Sequence, residues 1–436
     1  VGVASLCSPL EIGKDRAPWA TGELSRVIKG LGCEVIELGS IDDGDKSTAA
    51  GRKAVESHVD AVALVATSWF EDYLALDLLE ECGAPLLLWS LPNMESGALC
   101  GNQQLSAYLK QLDAPYACVY GQLDSSKHAE AALKYFKAAA LKRRMRRARI
   151  GLGGHRAGGM TEIAANEFAL KKSIGPRVVP LDLAQLLARA DDMCNEEAQS
   201  GWQEVVTRAG ACSVPREEGW DSMRVYAAVV EQVEKHRLDA LSMGCYPQLM
   251  GRVCLTASLL ADEGIPLACE GDVNGAVAQL ILMLLTGQPT HCTDWLEPLE
   301  DGSVVFTHCG SGSYSLAEKP DEITLSPVRL MDQGVCSLFT AKPGPVTLLN
   351  LLPYASGYQL TLIEAQAIST DMVFPGNPTR VIFDLPTPQL MEWIHNEGVG
   401  HHWMIGYGHV GEEVGHWARM AGADLRLLNP NLTYRQ

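Results

Sequence analysis

Apolar positions come in short runs through the first third of the chain, separated by amphipathic stretches. Residues 1–6 predict a strand, 21–31 a helix with Thr21 as N-cap and Gly32 as its stop, 33–38 a strand, 50–58 a helix and 61–66 a third strand. Residues 73–81 follow as a helix, stopped at Gly83-Ala84-Pro85, and 86–89 as a strand. Strands alternating with helices of about 10–15 residues are the mark of βαβ units on a parallel sheet. A helix over 129–149 carries the basic run Lys142-Arg143-Arg144-Met145-Arg146-Arg147 near its end, where positive charge complements the helix dipole. A first domain over 1–147 closes there.

A second α/β pattern begins at Arg149-Ile150-Gly151 and continues with a helix over 222–236, a strand over 240–243, a helix over 254–263 and a strand over 266–269. The apolar stretch 276–286 reads as a buried helix, too short to span a bilayer. From about Cys292 the texture changes: strand-like runs at 303–307, 324–330, 346–352, 359–364 and 380–383 are divided by Gly, Pro and Asp, with helices at 387–397 and 411–421. The expected fold class is therefore α/β: two Rossmann-like α/β domains with parallel sheets, 1–147 and 148–288, followed by a smaller β-rich C-terminal domain, 289–436.

Composition narrows the function. With 436 residues, 47% hydrophobic and 20% charged, the chain has the balance of a globular protein with a real core. Lys+Arg 35 against Asp+Glu 53 leaves a net charge of −18, a field that repels phosphate backbones and anionic lipid; nucleic-acid and membrane partners are not expected. Thirteen cysteines occur without a C-x-x-C pair, and no signal-peptide pattern opens the chain. Reduced, mostly buried thiols in a cytoplasmic protein are the expectation.

Few segments carry chemistry. The loop from Gly151 to Gly159 follows a strand, but Arg156 stands where the third glycine of a dinucleotide fingerprint belongs, so it reads as a tight loop near a ligand mouth. In Cys269-Glu270-Gly271-Asp272 an apolar strand delivers two carboxylates to its C-terminal end, where α/β folds build ligand sites. Asp272 can be spent as a helix N-cap. Glu270 ends an apolar strand and needs a partner, a metal or a raised pKa. Asp294 follows the buried helix and its stop at Gly287, His308 ends the 303–307 strand, and Gly398-Val399-Gly400-His401-His402-Trp403 with His409 forms a histidine-bearing, glycine-rich loop. On an extended loop the two adjacent histidines cannot both face one point, so one ligand is expected among His401, His402 and His409. Glu, Asp and His together suit Mn²⁺ (manganese) or a similar divalent cation better than a structural zinc.

These residues resemble a family. Glu270-Gly271-Asp272-Val273-Asn274-Gly275, then Leu285-Thr286-Gly287, then Asp294 is similar to the core signature of L-fucose isomerase. Gln248-Leu249 through Glu270-Gly271-Asp272 is similar to L-arabinose isomerase, whose metal histidines fall at the places of His308 and the His401-His402 pair. Thr67-Ser68-Trp69 resembles a substrate-covering segment of the fucose enzyme, and Gly13-Lys14-Asp15-Arg16 loosely resembles its Gly-Arg-Arg segment. The resemblance lies closer to the fucose branch.

It implies a metal-dependent aldose–ketose (ketol) isomerase of a pentose, 6-deoxyhexose or related sugar, acting through a cis-enediol with proton transfer between two carboxylates. Glu270 and Asp294 would be catalytic and bind the metal, with His402 and His308 completing its shell. Gln248, Trp69, His401 and Arg16 would contact the sugar. A homotrimer or homohexamer with the site near a subunit interface is implied as well. The alternatives are an epimerase or lyase running enediolate chemistry on the same scaffold, and a silent sugar-binding protein.

Overall fold

The computed structural model describes residues 1–355, 357–421 and 424–433. It divides into two compact units, Val1–Arg143 with Glu412–Met420, and Arg144–Gly411 with Ala421–Gln436.

The first unit is built on five parallel strands, β1 (Gly2–Leu6), β2 (Ile36–Ile41), β3 (Val62–Ala66), β4 (Leu86–Ser90) and β5 (Tyr116–Tyr120), in the order β2-β1-β3-β4-β5. Strands β1, β3 and β4 are buried throughout, which is why they read as unbroken apolar runs rather than alternating ones. The order reverses between β1 and β3, where doubly wound sheets open a crevice at the strands' carboxyl ends. Arg16, after β1, and Trp69, after β3, both follow those ends.

Some sequence expectations are corrected here. Thr21 is no N-cap: the first helix begins earlier, at Ala17–Gly30, and the Thr21 hydroxyl donates back to the Ala17 carbonyl. The helix expected from 50 onward starts at Gly44, because Asp43 caps it by accepting from the Lys46 amide. A helix over Ala98–Gln111 and strand β5 were not anticipated. The basic helix runs Ser126–Arg147, and two of its arginines pair with carboxylates, Arg143 with Asp60 and Arg144 with Asp239.

The second unit continues with β6 (Arg149–Gly153), β7 (Arg177–Leu181), β8 (Ala211–Cys212), β9 (Ala240–Met243) and β10 (Leu267–Ala268). Strands β10-β9-β6-β7 form a second parallel sheet. After β10 the helix Val273–Thr286 is buried on nearly every side. Its polar Asn274 is accommodated by donating to the Ile163 carbonyl and accepting from the Tyr358 hydroxyl.

The remaining strands are β11 (Thr290–Pro298), β12 (Val304–Thr307), β13 (Thr324–Ser326), β14 (Cys336–Leu338), β15 (Gly344–Tyr354), β16 (Gly357–Ile368), β17 (Thr379–Ile382), β18 (His402–Tyr407) and β19 (Leu425–Leu428). Six of them run β15-β18-β11-β12-β17-β16 in antiparallel pairs, and β16 pairs again with β15. That last pairing closes the sheet into a barrel, removing its exposed edges. Strand β19 adds to β16 in parallel, and β14-β13-β8 make a small separate sheet.

Strand β18 corrects the expectation of a glycine-rich loop at His401 to His409. All six residues of His402–Tyr407 are buried, so both faces are covered and no alternation marks the strand. The cysteines also differ from expectation. All thirteen are free, but only six are buried, while Cys100, Cys118, Cys194 and Cys212 are exposed. No helix among the described residues is long and apolar enough to cross a membrane.

Candidate functional site

The site assembles at the end of β10 and along the barrel strands. After Ala268 the chain turns through Cys269-Glu270-Gly271-Asp272, with Glu270 at φ 64° and Gly271 at φ 74°. A non-glycine residue in the left-handed region is held there at a cost, and here several bonds impose it. The Ala157 amide donates to the Glu270 carbonyl at 2.8 Å, the Gly271 amide to Met243 at 2.9 Å, and the Asp272 amide to Cys269 at 3.1 Å. A side chain on Gly271 would meet the Arg156 Cα and the His155 carbonyl oxygen, each at 2.6 Å, so the loop after β6 lies directly on this turn. It is a packing element of the site, consistent with its lack of a dinucleotide fingerprint.

Asp272 caps the following helix, accepting from the Gly275 amide at 2.8 Å. Its other oxygen lies 2.8 Å from His402 Nδ1. That bond sets the ring so that Nε2 faces Glu270 Oε2 at 3.1 Å and Asp294 Oδ1 at 3.7 Å. Strand register does the rest. On β11, Asp294 is paired with His402 of β18 on one side and with Thr307 of β12 on the other. His308, immediately after Thr307, brings its Nε2 to 3.8 Å from Glu270 Oε2 and 3.9 Å from Asp294 Oδ2.

Charge follows from these contacts. Burial opposes ionisation of Glu270, but the nearby His308 imidazole and the hydrogen-bonded His402 outweigh it and hold the carboxyl well below the usual range. Burial likewise opposes protonation of His402, and the bonds to Asp272 and Glu270 overcome it, raising the imidazole to about 9. His308 is raised well above its ordinary value, against burial, by Cys309, Asp294 and Glu270.

The donor set fits a divalent cation. Glu270, His308 and His402 each offer a ligand atom, all within 4.8 Å of one another, and Asp294, His401 and His402 form a second such group. Ligand bonds of about 2.0–2.2 Å could be made from either group by small side-chain adjustments. Asp294 Oδ1 is buried without a hydrogen-bond partner among the described residues, which leaves acceptor capacity unspent at the centre. A cleft of about 260 Å³ opens here, lined by Glu270, Asp294 and His308 together with Tyr246, Arg329 and Phe374.

The other anticipated residues lie as follows. His401 is half-buried, pairs with Glu162 at 2.7 Å and lies with its ring centroid 4.2 Å from that of His402, so both members of the pair reach the cluster. His409 does not: it lies beyond β18 and donates to the Ala365 carbonyl. Gln248 is exposed, and its neighbours Tyr246 and Met250 line the cleft while it does not. Trp69, donating to Gln104 Oε1 at 3.2 Å, and Arg16, 5.6 Å above the Trp19 ring, belong to the first unit. Sequence reasoning assigned Asp272 a helix cap and missed its bond to His402. Its place in Glu-Gly-Asp, two residues from a candidate ligand, was the available signal.

No protein-family model matches the chain. It is 25% identical over 385 residues to the sulfoquinovose isomerase of Priestia aryabhattai, covering 85% of each chain. The sulfoquinovose isomerase of Alkalicoccus urumqiensis is 25% identical over 379 residues, covering 83% of this chain and 84% of that one. This likeness supports an enzyme, a sugar isomerase. L-arabinose isomerase 1 of Bacillus licheniformis is 24% identical over 189 residues, covering 41% of this chain and 38% of its own. These similarities support the isomerase superfamily, while nearness to the L-fucose branch rests on the motif alone.

Proposed function

We propose that the chain is a divalent-metal-dependent aldose–ketose isomerase, with Mn²⁺ as the ion, that moves a proton between C1 and C2 of an open-chain sugar. The observation that carries this reading is the convergence of Glu270, His308 and His402 beside Asp294, with Glu270, His308 and Asp294 lining one cleft and His402 buried behind them. A divalent cation bound there supplies electrostatic stabilisation for the negative charge that develops as the carbon proton leaves.

The remaining work falls to the chain's own residues. Glu270, His402, His308 and Asp294 would hold the ion. Glu270, kept ionised and fixed by its strained turn, is suited to take the proton from one carbon and return it to the next. Asp294, with its side chain 31% exposed toward the cleft, is suited to pass a proton between the two oxygens. Asp272 orients His402. His401, Gln248, Trp69 and Arg16 remain the candidates for contacts to the sugar, and assembly as a homotrimer or homohexamer belongs to the same proposal.

For the substrate we place a 6-deoxyhexose bearing a sulfonate first, because the relatives matched over most of their length are sulfoquinovose isomerases. Glu270→Gln and Asp294→Asn each remove one proton carrier while keeping the side chain's shape. Each is expected to lower kcat by about a thousandfold or more while the protein remains folded by circular dichroism. Near-normal turnover in either variant overturns the assignment.

A further inference from the structure

The cleft that holds the candidate metal cluster is acidic at Glu270 and Asp294. Any ligand that carries its own negative charge needs a compensating cation there. Among the described residues that line the cleft, Arg329 is the one Lys or Arg.

Arg329 sits in the turn between β13 and β14, and the turn is held tightly. The Val328 amide donates to the Gln333 carbonyl and the Asp332 amide to the Val328 carbonyl, both at 2.9 Å, while the Val328 side chain is buried. Beyond the turn, Gln333 Nε2 donates to the Met250 carbonyl at 3.0 Å and the Val335 amide to Gly251 at 3.0 Å. The turn is thereby fastened to the segment that contributes Tyr246 and Met250 to the same cleft.

The guanidinium itself is unspent. No carboxylate pairs with it among the described residues, and its contact is with the face of the Phe374 ring, 5.0 Å from the centroid. Phe374 also lines the cleft, so stacking restrains the guanidinium and leaves its N–H donors uncommitted. In a chain with 53 acidic and 35 basic residues, an arginine without a carboxylate in an otherwise acidic cleft is placed for an anion from outside.

We propose that Arg329 is the specificity residue that receives a sulfonate-class anion at the end of the sugar remote from C1 and C2. This rests on the isomerase reading for what happens at C1 and C2, but the anion contact is a binding statement and is tested separately.

The Mn²⁺-loaded enzyme and its Arg329→Gln and Arg329→Lys variants are titrated with sulfoquinovose by calorimetry, and turnover is measured on sulfoquinovose and on the uncharged 6-deoxyglucose. Arg329→Gln is expected to weaken sulfoquinovose binding by about tenfold to a hundredfold, the range for losing a charge-assisted hydrogen bond. The loss should appear in KM, 6-deoxyglucose should be unaffected, and Arg329→Lys should recover part of the affinity. Equal affinity in wild type and Arg329→Gln, or an equal loss on both sugars, overturns the inference. Arg329-dependent binding with no turnover of either sugar overturns the isomerase reading and supports this one. Absence of both binding and turnover in wild type overturns both.

Discussion

At the scale of single residues, the site is governed by what each ring and carboxylate is bonded to. His402 has one nitrogen committed to Asp272 and the other turned to Glu270 and Asp294, the arrangement in which an outer carboxylate fixes a metal ligand's orientation. Asp272→Asn keeps the helix cap but weakens that orientation. It is expected to lower Mn²⁺ affinity by about tenfold to a hundredfold in metal titration, and to lower the melting temperature of the metal-free protein at neutral pH, because the buried imidazolium loses a carboxylate partner. Protons compete with the ion. His402 titrates at about 9 in the metal-free protein, so below its unfolded value near 6.5 its pairing with Asp272 and Glu270 contributes fully to stability, and this is lost as pH rises through 9. On the proposed ligand set, metal binding displaces a proton from Nε2 across that window. Mn²⁺ affinity should therefore tighten between pH 6.5 and 9, by roughly tenfold per unit for each proton released, with calorimetric heats that depend on the buffer. Affinity independent of pH over that window contradicts the ligand assignment. Glu270 was legible in the sequence because an ionisable group ending an apolar strand is conspicuous. Arg329 was not, since an arginine in a short turn has no spacing to mark it and its meaning comes from residues distant in the chain.

At the scale of elements, two devices place the chemistry. One is the left-handed turn after β10, and the other is the register that sets Asp294 between His402 and Thr307. The turn depends on Gly271, whose missing side chain lets the backbone of residues 155 and 156 approach. Gly271→Ala sets a Cβ against backbone that cannot yield and forces a left-handed alanine. It should destabilise the protein by about 2–4 kcal/mol in urea unfolding and reduce metal affinity along with it. Unchanged stability would show that the turn is not clasped as described. The sequence showed the parallel strands because burial on both faces makes them continuous apolar runs. It hid β18 for the same reason, because a fully buried strand flanked by glycines and opening on histidines shows no alternation. The helix Ala98–Gln111 was obscured by its polar run from Asn102 to Gln104, of which Asn102 is nonetheless buried and bonded to Ser90.

At the scale of the whole molecule, two parallel sheets and a closed antiparallel barrel give the fold class expected from the hydrophobic pattern. Closure of the barrel was beyond that pattern, since it depends on β16 pairing with both β15 and β17, and period-2 alternation does not say which strands meet. The proposed chemistry needs that closure. Glu270 comes from the parallel sheet's last turn, whereas Asp294, His308 and His402 come from three adjacent barrel strands or their ends. Residues scattered over more than a hundred positions therefore converge only once the second unit has folded.

The central claim is that this convergence performs metal-assisted proton transfer on a sugar. The most direct measurement is to incubate the metal-stripped protein with sulfoquinovose and a panel of aldoses and ketoses in D₂O, with and without Mn²⁺, and follow products by NMR. The account predicts Mn²⁺-dependent interconversion of aldose and ketose with deuterium entering at C1 or C2. A protein that binds Mn²⁺ yet exchanges no carbon-bound proton on any of these sugars contradicts it.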